Sequence, residues 1–191
     1  MLPTRSLCAV AVALALTATA CGSTLPRATS VSQIFTFELY GLVGAPARAP
    51  TAVNFTGTST HADGTFQFDV AVDLDTSGKV VVYPVRYLAG NLAGTQKRVG
   101  MQVLSGPFET IGDVPATGYD TLAVKTVAPG TVLAVELQEP SICLYSLGGI
   151  NLYGKFVVDS VTPANRRIFV TTVIDPNCGY RQVKPDTIPD F

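Results

Sequence analysis

Tryptophan is absent from this 191-residue chain, and histidine occurs once. A single histidine, His61, leaves few routes to metal or imidazole chemistry, because zinc sites take three or four ligands. Charge is sparse as well. Only 14% of residues are Asp, Glu, Lys or Arg, 13 basic against 14 acidic, with no run of either sign. A nucleic-acid face needs clustered Lys and Arg, so no nucleic-acid partner is expected. The nucleophile signatures GxSxG, HExxH and SxxK are missing, and so is a CxxC pair. The glycines at 90 and 94 lack the lysine of a phosphate loop. No cofactor is expected. What the chain has in quantity is apolar residues, at 47%. That supports a sizeable core and argues against disorder. The length suits one domain.

The N-terminus has its own grammar. Arg5 and the initiator amine precede an apolar run of ten residues, 7–16. A bilayer span takes ~20 residues, but ten fit the core of a secretory signal. Ala18-Thr19-Ala20-Cys21 follows. This end resembles a bacterial lipoprotein signal with its lipobox, Ala18 standing where Leu or Val is usual. The resemblance covers residues 1–21 and assigns nothing to the rest. It implies loss of residues 1–20, a diacylglycerol on the Cys21 thiol and acylation of the new N-terminus. Two or more chains anchor stably where one is marginal. The implied partner is therefore the membrane, through Cys21. The implied address is the cell envelope: the outer membrane if the organism has one, otherwise the outer face of the cell membrane. Plain secretion, with Cys21 left as a thiol, is the alternative. Residues 21–30 read as a short polar tether and residues 31–191 as one domain.

Of the four cysteines, Cys8 would leave with the signal and Cys21 would carry lipid. Cys143 and Cys178 remain as an even pair in an oxidising compartment. Paired, they close a 35-residue loop, which the chain-entropy model values at ~3.8 kcal/mol. Two free buried thiols or a redox pair are the other possibilities.

From Val31 onward the apolar period is two. Phe35, Phe37 and Leu39 share a face. Residues 65–75 alternate most clearly: Phe66, Phe68, Val70, Val72 and Leu74 against Gln67, Asp69, Ala71, Asp73 and Asp75. That predicts a half-buried strand with a wet acidic face. Pro84 in the returning strand, 79–87, predicts an edge position or a bulge, and an edge there is a candidate for pairing with a partner's sheet. Ala128-Pro129-Gly130 predicts a hairpin over 121–137, and Thr162-Pro163-Ala164-Asn165 another over 153–174. Residues 89–100 and 105–119 read as long loops and as contact sites. About nine short strands with regularly spaced turns give an all-β fold, an antiparallel β-sandwich or a partly open barrel.

Few residues invite chemistry. Asp73-Leu74-Asp75-Thr76-Ser77-Gly78 looks like the start of a calcium loop, but Pro84 stands where the bidentate Glu is needed. Asp69, Asp73 and Asp75 are the candidate ligands of a looser metal site, against the simpler reading of a solvated acidic face. His61 and Asp63 offer half of a base–orienter pair, or an exposed turn. Arg86, Lys97 and Arg98 bracket a Gly-rich loop as a candidate basic spot, and Arg166-Arg167 sit at a hairpin tip. The leading expectation is a non-catalytic, membrane-anchored binding or structural module with a ligand or an envelope-protein partner. One alternative is a small hydrolase using His61, Asp63 and the acidic row. The other is a calcium-stabilised extracellular module.

Overall fold

The computed structural model describes residues 25–90, 97–138, 140–143 and 151–190. Cys21 and the signal segment lie outside the described residues, as do residues 91–96 of the first long loop. Among the described residues ten strands follow one another: β1 (Gln33–Tyr40), β2 (Ala52–Asn54), β3 (Thr58–Thr60), β4 (Val70–Leu74), β5 (Val80–Pro84), β6 (Arg98–Leu104), β7 (Lys125–Val127), β8 (Val132–Gln138), β9 (Leu152–Thr162) and β10 (Arg167–Asp175). They form two antiparallel five-stranded sheets, ordered β1-β10-β9-β8-β6 and β3-β2-β4-β5-β7. The expected all-β sandwich is the fold observed, and the sheets do not close into a barrel.

Alternation builds the shared core. Leu39, Leu133, Val135, Phe156, Val158, Ile168 and Val170 of the first sheet meet Val53, Val72, Leu74, Val80 and Val82 of the second. Phe55 packs edge-on against Phe156, ring centroids 6.2 Å apart. Phe35 and Phe37 flank Leu39 on the same face of β1. The hairpin expected over 153–174 is β9–β10, closed by a 3-10 turn at Pro163–Asn165.

Four local expectations fail. The turn at Ala128-Pro129-Gly130 forms, with Thr131 N donating to Ala128 O at 3.1 Å. It does not make a hairpin, because β7 pairs with β5 whereas β8 pairs with β6 and β9. Turn chemistry reverses the chain without choosing its neighbour, and here Gly130 N donates to Val158 O at 2.8 Å and carries the chain into the other sheet. Pro84 is not on an edge strand: β5 lies between β4 and β7, and Pro84 is its last residue. The chain then makes a short helix, α1 (Val85–Ala89), where continued strand was expected. The start of the strand at 65–75 is also a turn. Asp63 Oδ1 accepts Thr65 N at 2.9 Å, and Phe66 takes a positive φ of 51°, so pairing begins only at Val70.

The middle of the first sheet's outer face is covered, although Ile34, Thr36 and Glu38 of β1 stay exposed. Val114, Ala134, Tyr153, Val173 and Val183 form a second cluster beneath residues 105–119 and the C-terminal segment. Val114 N donates to Arg181 O at 3.0 Å, and Val183 N to Gly112 O at 2.7 Å. Gly100 permits close approach, since a Cβ there would lie 2.6 Å from Tyr119 Cβ. Lys155 is fully buried in this layer. Its Nζ donates to Phe108 O and Ile111 O, both at 2.7 Å, and lies 4.4 Å from the Phe108 ring centroid. Burial pushes the Lys155 pKa down, and Glu109 opposes that shift. Residues 105–119 thus form a strap packed onto the sheet.

Lys155→Met keeps the aliphatic stem but deprives two carbonyls of their donor, a loss of about 1–3 kcal/mol. Hydrogen exchange at residues 108–114 is expected to quicken while β9 stays protected. Unchanged exchange in that strap would show that apolar contacts alone hold it.

Candidate functional site

The acidic residues of β4 and its flanks do not form the candidate metal site. Asp75 is spent on a turn, where its Oδ1 accepts Ser77 N at 2.8 Å, Ser77 Oγ at 2.7 Å and Lys79 N at 2.9 Å. These bonds, the Ser77 hydroxyl first, hold its pKa down. Asp69 and Asp73 are 4% and 8% exposed, not on a wet face. Asp73 Oδ1 accepts from the Arg166 guanidinium and from Leu74 N at 2.8 Å. Asp69 Oδ2 accepts Phe55 N at 2.8 Å, and its Oδ1 accepts Lys97 Nζ at 3.2 Å. Burial raises the Asp69 pKa, and the Lys97 charge and the Phe55 N–H oppose that rise. The reason is topological: each carboxylate has its own cation, brought from the other sheet. Among the described residues no three His, Cys, Asp or Glu side chains gather to hold a metal ion.

The base–orienter pair does not form either. His61 Nδ1 donates to Ala49 O at 3.0 Å, while Asp63 Oδ1 is taken by Thr65. Both residues are exposed on a turn. The basic spot divides. Arg86 donates to Thr121 Oγ1 at 3.2 Å, whereas Lys97 and Arg98 line a cleft. At the hairpin tip Arg166 pairs with the buried Asp73, and Arg167 pairs with Glu38 at the surface.

That cleft is the candidate site. It has a volume of about 780 Å³, within the ~300–1,000 Å³ of small-molecule pockets. It opens between the sheets at one end of the sandwich. All five strands of the first sheet reach it, through Gln33, Ile174, Leu152, Leu137 and Val99. The registers Gln33↔Ile174 and Leu152↔Leu137↔Val99 form two rows, offset by two residues at β9, where Ile174 lies opposite Gly154. Asn54, Thr56 and Asp69 face them from the second sheet. The wall is aliphatic, extended by Pro140, Ile142 and Pro176, and Ile142 is 66% exposed at this position. Lys97 Nζ donates to Asn54 Oδ1 at 3.0 Å as well as to Asp69. An ammonium has three protons, so one remains without a partner among the described residues.

The same end of the sandwich is stitched. Cys143 and Cys178 form the expected disulfide, Cα atoms 5.7 Å apart. It ties the exit of β8 to that of β10, across β9. Asn177 beside it binds the N-terminal segment: its Oδ1 accepts Thr29 N at 3.0 Å and Ser30 N at 3.1 Å, and its Nδ2 donates to Ser30 O. Tyr180 Oη donates to Pro26 O at 2.9 Å. The segment read as free tether is therefore docked from Pro26 onward. Asp175, wholly buried, accepts Asn177 N at 2.9 Å and Asn177 Nδ2 at 2.6 Å on Oδ1, while its Oδ2 has no partner in the described structure. Burial raises its pKa to about 6, against those two bonds.

No local motif announces the cleft. Its lining comes from seven separate stretches of chain, and Lys97 lies 28 positions from Asp69. A basic pair before a strand, Lys97-Arg98, is the one sequence feature that marks it. Compared with protein-family models, with curated proteins and with solved structures, the chain finds no match in any of the three.

Lys97→Met strands the buried Asp69 carboxylate, with an expected loss of about 1–3 kcal/mol for a pair open to water on its lysine side. Adding Asp69→Asn is expected to recover most of it. Urea unfolding of the double-mutant cycle reads the coupling, and additive losses would mean the pair has none. Asp175 makes stability pH-dependent. Between its unfolded pKa near ~3.9 and its folded value of about 6, the folded state binds more protons. Stability accordingly falls as pH rises through that window and is level above it, by on the order of 2 kcal/mol. Asp175→Asn is expected to remove this slope. A difference between wild type and variant that stays constant from pH 4 to 7 would refute the assignment.

Proposed function

We propose that this protein is an envelope lipoprotein, anchored through Cys21, whose β-sandwich serves as a non-catalytic binding module. The observation that carries the binding half is the cleft between the sheets, aliphatic on its walls and charged at Lys97, Asp69 and Arg98. A preformed apolar pocket with a few fixed polar groups is what ligand recognition requires. Asp69, Asn54 and Lys97 hold one another through hydrogen bonds, and Arg98 stands exposed beside them. The histidine and the remaining candidate carboxylates stand on exposed turns or in a separate ion pair.

The anchor and the cleft are spatially related in this reading. Cys21 stands five positions before Pro26, a reach of at most ~18 Å when fully extended. Pro26 is held by Tyr180, and Thr29 and Ser30 by Asn177, next to the cleft residue Pro176. An acylated Cys21 would therefore keep the cleft end close to the bilayer surface. The apolar opening would face ligands in or just above the membrane.

Two measurements in cells test this. Cys21→Ser is expected to abolish incorporation of labelled palmitate and to release the protein from the membrane fraction; persistent labelling would put the lipid elsewhere. A photo-crosslinking residue at Ile142, in the cleft, is expected to capture ligand or partner. The same probe at Val43 is expected not to; it is 68% exposed and lies at the far end, beside Asp73. Equal capture at both positions would remove the cleft from its role.

A further inference from the structure

We infer that the cleft takes a single-chain amphiphile with an anionic head, the acyl chain lying along the aliphatic wall and the head at Lys97 and Arg98. This deepens the proposed function, on which it rests only for the cleft being the binding site. Three observations carry it.

The first is the wall. Val99, Leu137, Leu152, Ile174 and Ile142 are branched aliphatics, and no aromatic ring is among the described lining residues. Sugars and planar ligands are held by stacking on rings. Flexible methylene chains need only aliphatic surface from which water is excluded.

The second is the sign of the charge. Two cations, Lys97 and Arg98, face one carboxylate, Asp69. That carboxylate is committed on both oxygens, to Phe55 N and to Lys97. The described lining residues therefore carry net positive charge. Arg98 is exposed and makes no ion pair among the described residues. An anion complements this pair, whereas a cationic or neutral head does not.

The third is the polarity gradient. Lys97, Asn54 and Asp69 cluster at one spot of the lining, while Val99, Leu137, Leu152, Ile174 and Ile142 supply its apolar surface. A ligand with one charged end and one apolar body matches that division, and a uniformly polar ligand does not.

The source of the anion is either a free fatty acid or a lysophospholipid, whose carboxylate and phosphate share this chemistry. The test uses the exported chain bearing Cys21→Ser, purified without detergent, so that no attached lipid competes. Isothermal titration with saturated fatty acids of increasing length is expected to show affinity rising about fourfold per added methylene, then levelling once the cleft is filled. Fatty alcohols of equal length are expected to bind at least fivefold more weakly. Arg98→Gln, at an exposed position that spares the fold, is expected to erase about fivefold of that preference and to leave the length dependence intact. Ile142→Trp is expected to obstruct every chain. Tighter binding of lysophosphatidic acid than of the matching fatty acid assigns a membrane lipid, and the reverse order assigns a free fatty acid; either supports the inference. Alcohols binding as well as acids would overturn the anionic class while the cleft remained a binding site. The same holds if no amphiphile binds but the Ile142 crosslinks persist. Loss of both the binding and the crosslinks would overturn the two readings together.

Discussion

The sandwich depends on two ion pairs at the two ends of one strand. β4 is the central strand of its sheet, and all five of its residues are buried. Asp69 just before it pairs with Lys97, which leads into β6; Asp73 within it pairs with Arg166, which leads into β10. Both cations belong to the opposite sheet. A carboxylate that is 4% or 8% exposed must be bonded or surrender its charge. The two acids therefore admit few relative positions of the sheets. Such pairs add little net stability over apolar residues of the same volume. Their effect is on register: sliding one sheet by a residue would strand two charges, a penalty that apolar packing alone would not impose.

The pairs also divide the molecule into two ends. At the Arg166 end the β9–β10 tip folds back, because the left-handed backbone of Arg166, φ 55°, follows the Pro163–Asn165 turn and aims the guanidinium at Asp73 and Leu74 O. At the Lys97 end the sheets part into the cleft, and the disulfide and the Asn177 stitch hold its surroundings. One end is closed by an ion pair over the core. The other uses its ion pair as part of a wall. Rigid borders on an apolar opening let a pocket persist without a ligand, since the surrounding segments cannot collapse into it.

A third layer completes the fold. Residues 105–119 and the C-terminal segment cover the middle of the first sheet's outer face, over β8 and β9, and Lys155 holds the strap by its carbonyls. Covered on both faces, β8 and β9 lose the strict apolar–polar alternation of a one-sided sheet. Glu136 and Lys155 sit at buried positions there, the one bonded to Gln138 and Asn151, the other to Phe108 and Ile111. Polar residues within apolar strands were thus the mark of a covering layer, not of solvent.

The division between sequence and structure follows from the range of the forces involved. Period-two alternation, turn residues and cysteine count are local or countable, and they were sufficient for the all-β class, the β9–β10 hairpin, the common face of Phe35, Phe37 and Leu39, and the Cys143–Cys178 pair. They failed where a local signal is silent about its long-range partner. The turn at Ala128-Pro129-Gly130 cannot say which strand comes to lie beside it. The row Asp69, Asp73, Asp75 looks the same in sequence whether it faces water, calcium or two cations 28 and 93 positions away. A cleft lined from five strands of one sheet and three residues facing it has no linear form at all. The sequence alone determined which residues are apolar, where the chain turns and which cysteines can pair. Only the tertiary structure decided which charges meet and where the sheets part, because both depend on the relative position of two sheets that a buried core and two distant ion pairs set together.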